Sequence, residues 1–267
     1  MLKDVTLGQY FPGDSIFHKL DPRTKLILVL LYIVALFQAQ HLISYAVIVA
    51  VTIGIIKISQ VPPKSMLRGL KPVVIIIALT AVLNMFYTDG TTLVQIWKLR
   101  ITYEGLFRAF FMVLRIVMLI CGTFLLTYTT QPVALTDGLE MLLGPLKKLH
   151  VPVHEMSMMM SMALRFIPTL IEETDKIISA QRARGADFDS GNLIQRARAL
   201  LPILVPLFIS AFRRADELAV AMESRCYHGG EGRTRMKQLH YEKRDRIALL
   251  MGLLLVAGMI GLRVMGV

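Results

Sequence analysis

Charge is what this sequence has least of. Asp, Glu, Lys and Arg make up 18% of its 267 residues, against about 25% in soluble domains. That shortage of polar surface excludes an ordinary soluble enzyme, a disordered tail and a fibrous protein. Acidic groups are the scarcer kind, 19 against 30 basic ones, for a net charge of +11. On a chain that is 55% hydrophobic, such an excess does not suit a nucleic-acid-binding domain and points instead to the cytoplasmic face of a membrane. Cysteine is limited to Cys121 and Cys226, the first inside an apolar run, which argues against a disulfide scaffold. The first 25 residues contain Asp4, Asp14 and Asp21 and no apolar core, so no cleavable signal peptide is expected. With a mean hydropathy of +0.58, the chain reads as an all-α integral membrane protein.

Leu26 to Ile56 is a block of 31 residues without a charge. One helix of that length would reach about 46 Å, well beyond a hydrocarbon core of roughly 30 Å. Gln38-Ala39-Gln40-His41 interrupts it, and both flanks are basic: Lys19, Arg23 and Lys25 before, Lys57, Lys64, Arg68 and Lys71 after. Short basic loops stay in the cytoplasm, so the block is expected to be a hairpin with its tip outside. Its first arm, Leu26–Phe37, is short for a span. A third span, Pro72–Tyr87, leads to an outer loop, Thr88–Glu104, in which the only basic residues are Lys98 and Arg100. A fourth span, Gly105–Tyr128, returns and carries Arg108 and Arg115 on one face. Charge at the bilayer centre costs at least ~2.5–3.5 kcal/mol, so Arg115 is expected to bond carbonyl groups or Asn84, with contact to a partner or a pore as the other reading. The last span is Ile247–Leu262, where Ala248/Gly252 and Ala257/Gly261 are small-xxx-small pairs suited to close helix packing. About five spans result, with the amino terminus cytoplasmic and the carboxyl terminus outside.

Residues 129–246 read differently. They hold 17 Lys/Arg and 14 Asp/Glu, against 13 and 5 in the rest of the chain, yet they are too apolar for a linker. The expected organisation is a membrane domain over 1–128, a cytoplasmic insert over 129–246 and a final transmembrane helix in 247–267. Turn signals at Val151-Pro152, Asp187–Gly191 and Gly229-Gly230 divide the insert into three helices: Pro132–Leu149, Val153–Arg184 and Leu193–Tyr227. Apolar residues of the second recur at steps of mostly three or four, an amphipathic stripe. Ala199–Phe212 of the third is charge-free for 14 residues, too short to span and more like a buried or interfacial helix. Pro168, Pro202 and Pro206 are expected to bend these helices. Met156, Met158, Met159, Met160 and Met162 cluster in the second; methionine suits surfaces that fit several partners, and it equally fills cores.

The ends of the two long helices repeat at a shift of 41 residues. Asp175, Ile177, Ala180, Ala183, Arg184 and Gly185 align with Asp216, Leu218, Ala221, Ser224, Arg225 and Cys226. Each arginine is flanked by small residues, so its guanidinium can approach another surface closely. Arginine near a helix carboxyl end is favoured by the macrodipole in any case, and Gly185 is a natural cap. Two such tips at equivalent positions suggest two equivalent docking points. No catalytic set accompanies them. Gly229-Gly-Glu-Gly-Arg-Thr234 lacks the lysine and spacing of a phosphate-binding loop, and Pro152 between His150 and His154 makes a shared metal-binding face poor. Neither catalytic residue, cofactor nor metal is expected.

These features together resemble the transmembrane T component of energy-coupling factor transporters, the vitamin-uptake branch of ABC importers. His18-Lys-Leu-Asp-Pro-Arg-Thr-Lys25 is similar to the segment preceding the first span in that family. Ala183-Arg184-Gly185 and Ser224-Arg225-Cys226 are similar to its paired Ala-Arg-Gly motifs, with Ser and Cys departing from the second, and the order of spans matches over essentially the whole chain. The resemblance implies a non-catalytic coupling subunit in a prokaryotic cell membrane. Its two long helices would be coupling helices that bind two ATPase subunits through those six residues and pass their closure to a vitamin-binding membrane S component. Met156, Met159 and Met160 are the candidate contacts to the S component. Membrane lipid is the other partner, nucleic acid is not, and the vitamin would be chosen by another polypeptide. The rivals are the T component of a dedicated cobalt or nickel importer, a conventional ABC permease, and a membrane-embedded enzyme with a cytoplasmic active site.

Overall fold

The computed structural model describes residues 10–88, 90–96, 99–188, 192–230 and 238–266. Asp4, Lys98, the 189–191 part of the second break, the 231–234 part of the glycine-rich run and the side chain of Arg100 lie outside the described residues. The chain divides into two compact units, one of residues 8–139 with 239–267 and one containing 140–238.

In the first unit, the interrupted apolar block is a helical hairpin. α1 (Pro22–Gln38) starts at Asp21, whose carboxylate accepts the Arg23 N–H at 2.9 Å, with Pro22 in the first turn where its missing donor costs nothing. α2 (Leu42–Ser59) follows after residues 39–41. Tyr32, Leu36, Tyr45, Ile48 and Met259 form the buried core between α1, α2 and α10 (Lys243–Met265). α10 packs along α1, and a side chain at Gly252 would come within 2.7 Å of Leu28, so that glycine permits the approach. The second small-residue pair has no such role: open space surrounds Gly261.

α3 (Pro63–Leu70), a 3-10 turn over Lys71–Val73 and α4 (Val74–Tyr87) run on as one helical stretch. This span therefore begins nine residues before Pro72. The 3-10 turn accommodates the proline, which has no N–H to contribute. In the outer loop, β1 (Thr92–Ile96) and β2 (Leu99–Thr102) pair antiparallel, a small hairpin with no sequence signal above the loop reading. α5 (Tyr103–Thr129) is capped by the Thr102 hydroxyl, which accepts the Gly105 N–H at 3.1 Å. Halfway along α5, Arg115 donates to the Ala39 carbonyl at 2.9 Å and lies near the faces of Phe37 and Tyr45. That is the carbonyl-bonded arginine expected; Asn84 bonds its own helix at Thr80 instead.

α6 (Pro132–Leu142) and a 3-10 turn over Gly144–Leu149 follow. The second unit is built on α7 (Val153–Ala183), α8 (Leu193–Ala199) and α9 (Leu201–Glu223). Pro168 and Pro206 lie inside α7 and α9, whereas Pro202 sits in the first turn of α9. His154 does not share a face with His150, which adopts a left-handed conformation at the end of the 3-10 turn; the His154 ring meets Glu140 at 2.9 Å.

Five helical stretches are long and apolar enough to cross a bilayer: Leu42–Ser59, Pro63–Tyr87, Tyr103–Thr129, Ile194–Glu223 and Lys243–Met265. The protein is an all-α membrane protein, as the composition demanded, but the membership of the five differs from the sequence reading. α1, with 17 residues, is at the lower limit of a spanning helix. Ile194–Glu223 corrects the inference drawn from its 14-residue charge-free stretch. Its flanking arginines are few, and as a helix it is continuous enough to qualify by length and composition, since long basic side chains can reach back to an interface.

Candidate functional site

The two arginine tips end in the same backbone geometry. At the end of α7, Gly185 has φ of +87°, its N–H donates to Arg182 O at 3.0 Å, and the Ala186 N–H donates to Gln181 O at 3.0 Å. At the end of α9, Cys226 has φ of +55°, its N–H donates to Glu223 O at 2.9 Å, and the Tyr227 N–H donates to Met222 O at 3.1 Å. Both are Schellman caps, in which a left-handed residue turns the chain back over the last carbonyls. Every partner in one cap maps to the other at the shift of 41 found in the sequence. Gly185 adopts its conformation without steric cost; Cys226 does so against its Cβ.

Each cap throws the preceding arginine outward. Ala183, Arg184, Gly185, Ser224, Arg225 and Cys226 are all exposed. Among the described residues, neither the Arg184 nor the Arg225 guanidinium has a hydrogen-bond or ion-pair partner. A cation on an exposed helix end with no local acceptor is free to meet an acidic group on another molecule, and its small neighbours do not obstruct the approach.

What holds the two tips in relation to each other is the packing of α7 on α9. Glu173 accepts hydrogen bonds from the Ser210 hydroxyl and, at 2.9 Å, from Arg214. Glu173 and Arg214 are themselves equivalent positions of the repeat. Eight residues further along α7, Gln181 Nε2 reaches the carbonyl of Pro202, at 3.3 Å and eight residues back along α9 from Ser210. The helices therefore cross in an antiparallel sense, and the pairing is symmetric about Ile171 and Phe212. Arg184 and Arg225 each lie 13 residues beyond that point, or about 20 Å of helix. Sequence reasoning found the tips and missed the crossing. The signal was present in the opposite charges at 173 and 214, one repeat apart.

Glu173 is half-exposed, and the Ser210 hydrogen bond, with smaller contributions from Arg214 and Lys176, holds its carboxyl below the usual carboxylate range. Met156, Met159 and Met160 sit on one side of α7 and are 52%, 61% and 47% exposed, so these three do not fill a core; Met158 and Met162 are half-buried. Leu201, Leu204, Val205, Phe208, Ile209 and Phe212 of α9 are also exposed, at helical spacing and therefore on one broad apolar face.

Comparison with known proteins agrees with this architecture. Residues 13–236 match the CbiQ family, described as cobalt transport protein. The chain is 56% identical over 259 residues to the energy-coupling factor transporter transmembrane protein EcfT of Thermosediminibacter oceani, covering 97% of this chain and 98% of that one. It is 58% identical over 258 residues to the protein of the same name from Clostridium kluyveri, covering 96% of each. The Bacillus subtilis protein of that name is 47% identical over 264 residues, covering 98% of this chain and all of its own. A multi-pass membrane architecture, paired coupling tips and near-full-length similarity make one conclusion: the chain belongs to the CbiQ family, as a transmembrane subunit of the energy-coupling factor transporter type.

Proposed function

We propose that this subunit is the mechanical link between two ATPase subunits and a substrate-binding membrane S component. Residues 129–246 form the coupling insert, and Arg184 and Arg225 are its two plugs. Ala183, Gly185, Ser224 and Cys226 keep the surroundings of the plugs small. The observation that carries this reading is the duplicated cap: two unpartnered arginines in the same backbone geometry, equidistant from one crossing. A pair of identical or homologous ATPases offers two equivalent acidic grooves, which such a pair of tips matches. The basic residues flanking the α1–α2 hairpin put the amino terminus in the cytoplasm; with the spans assigned from sequence, the carboxyl terminus lies outside.

The exposed Met156, Met159 and Met160 face supplies adaptable contact to the S component, because methionine repacks against differing partners. ATP chemistry belongs to the other subunits, and this chain contributes no reacting group. The test is assembly. Truncating one side of a buried charge pair costs ~2–5 kcal/mol, so Arg184→Ala with Arg225→Ala should release both ATPases from the purified complex, and each single variant should weaken retention. Full retention and uptake by the double variant would defeat the docking role. The family description as cobalt transport protein favours one second reading, a dedicated metal importer; identifying the membrane protein that co-purifies with the complex separates the two.

A further inference from the structure

The sequence motif that the docking site leaves unexplained is Asp21-Pro-Arg-Thr-Lys25. A helix start needs only the Asp21 carboxylate on the Arg23 N–H. The other polar groups of this turn reach much further along the chain. Lys25 Nζ donates to Thr129 O at 2.8 Å and to Thr130 Oγ1 at 3.1 Å, at the carboxyl end of α5, where the chain leaves for the 140–238 unit. Gly138 of α6 lies against the same turn: a Cβ there would come within 3.0 Å of the Pro22 Cβ and 3.3 Å of the Arg23 nitrogen. On the returning side, Arg23 donates to Leu239 O at 2.9 Å while its guanidinium sits 4.1 Å from the centre of the Tyr241 ring. The Asp21 N–H donates to Asp245 Oδ1 at 2.9 Å, and Asp245 also accepts the Glu242 N–H in the capping box that starts α10.

We infer that the Asp21–Lys25 turn is a clasp that pins the chain where it departs for, and where it returns from, the coupling insert. Asp21, Lys25 and Asp245 are 7%, 5% and 2% exposed. Burying charge in this way is a poor route to stability alone, since well-packed apolar groups of similar volume generally do as well. Directional bonds to backbone atoms do something apolar packing does not: they fix where two strands of chain, more than 100 residues apart, stand against one helix. With both ends referred to α1, neither can swing independently, and strain entering the insert passes into the membrane helices. This rests on the coupling role proposed above.

The test uses Arg23→Ala, which opens the returning side, and Gly138→Val, which wedges the departing side, each in the full transporter. Both should retain the ATPases and hydrolyse ATP. Uptake per ATP should fall roughly tenfold, the change that about 1.4 kcal/mol makes, with Gly138→Ala intermediate. Amide exchange on the purified full chain should accelerate over 239–246 in Arg23→Ala and over 130–139 in Gly138→Val, and stay unchanged over 42–59 in both. Unchanged uptake per ATP in both variants, or acceleration spread evenly along the chain, overturns the clasp. A wild-type chain that captures no ATPase would defeat the docking reading instead, and the exchange pattern would still decide the clasp.

Discussion

Residue 226 and residue 185 occupy the same place in the fold and differ in what it costs them. A left-handed conformation is unfavourable by about 1–2 kcal/mol for a residue with a Cβ, and glycine escapes this. Cys226→Gly should therefore stabilise the α9 cap by up to about 1 kcal/mol, and Gly185→Ala should destabilise the α7 cap by a similar amount. Thermal unfolding in detergent checks the sign of both. ATPase retention should be kept in Cys226→Gly, because the arginine is untouched and its neighbour becomes smaller. The sequence announced these tips through local features, an arginine between small residues and a glycine after a helix. It could not announce that Cys226 is left-handed, because a non-glycine in that region is dictated by the surrounding bonds and not by its own preference.

At the scale of the element, the crossing of α7 and α9 depends on one carboxylate. Glu173 has its folded-state pKa lowered by the Ser210 hydrogen bond first and by Arg214. A depressed carboxylate contributes stability above its unfolded value, near 4.5, and that contribution disappears as pH falls through the folded value. The crossing should accordingly loosen below about pH 4.5. The separation of labels placed on α7 and α9 checks this, with Glu173→Gln removing the pH dependence without restoring the tight crossing.

Helix limits in this region were legible because turn signals and caps are local. Val153 was read as the start of α7 and is; the α1–α2 break at residues 38–41 was read from three polar residues and is there. Which helix meets which is a tertiary fact, and Glu173 against Arg214 could be recognised only once the two elements lay together. The β1–β2 hairpin escaped for another reason. Its segments are short, and the outer loop gives no sharp turn dipeptide to mark them. The spanning potential of Ile194–Glu223 was underestimated because an uninterrupted charge-free run is a stricter requirement than the bilayer imposes on a helix with arginines near one end.

For the molecule as a whole, the exposed apolar faces of α7 and α9 leave a large surface to be covered by lipid or a neighbouring subunit. Replacing Met156, Met159 and Met160 together with Leu keeps the hydrophobicity and removes the flexible thioethers. If these residues serve several S components, competition uptake assays with different substrates should show changed preference while assembly with the ATPases is unaffected; equal uptake of every substrate would return the cluster to a purely packing role. Composition alone carried the membrane assignment. The division of charge between 129–246 and the remainder carried the insert, and the matched ends of its two long helices carried the docking points. The clasp at Asp21–Lys25 was hidden because its partners are separated by 104 to 224 residues.

The near-identity of the two tips has one built-in exception that can be put to use. Cys226 is exposed and Cys121 is buried, so a maleimide dye or spin probe would mark one arm of the pair and leave its twin dark. A single fluorophore on the unmodified polypeptide could then report which of two otherwise interchangeable motor subunits engages first, a distinction that a symmetric pair of glycine-ended arms would erase.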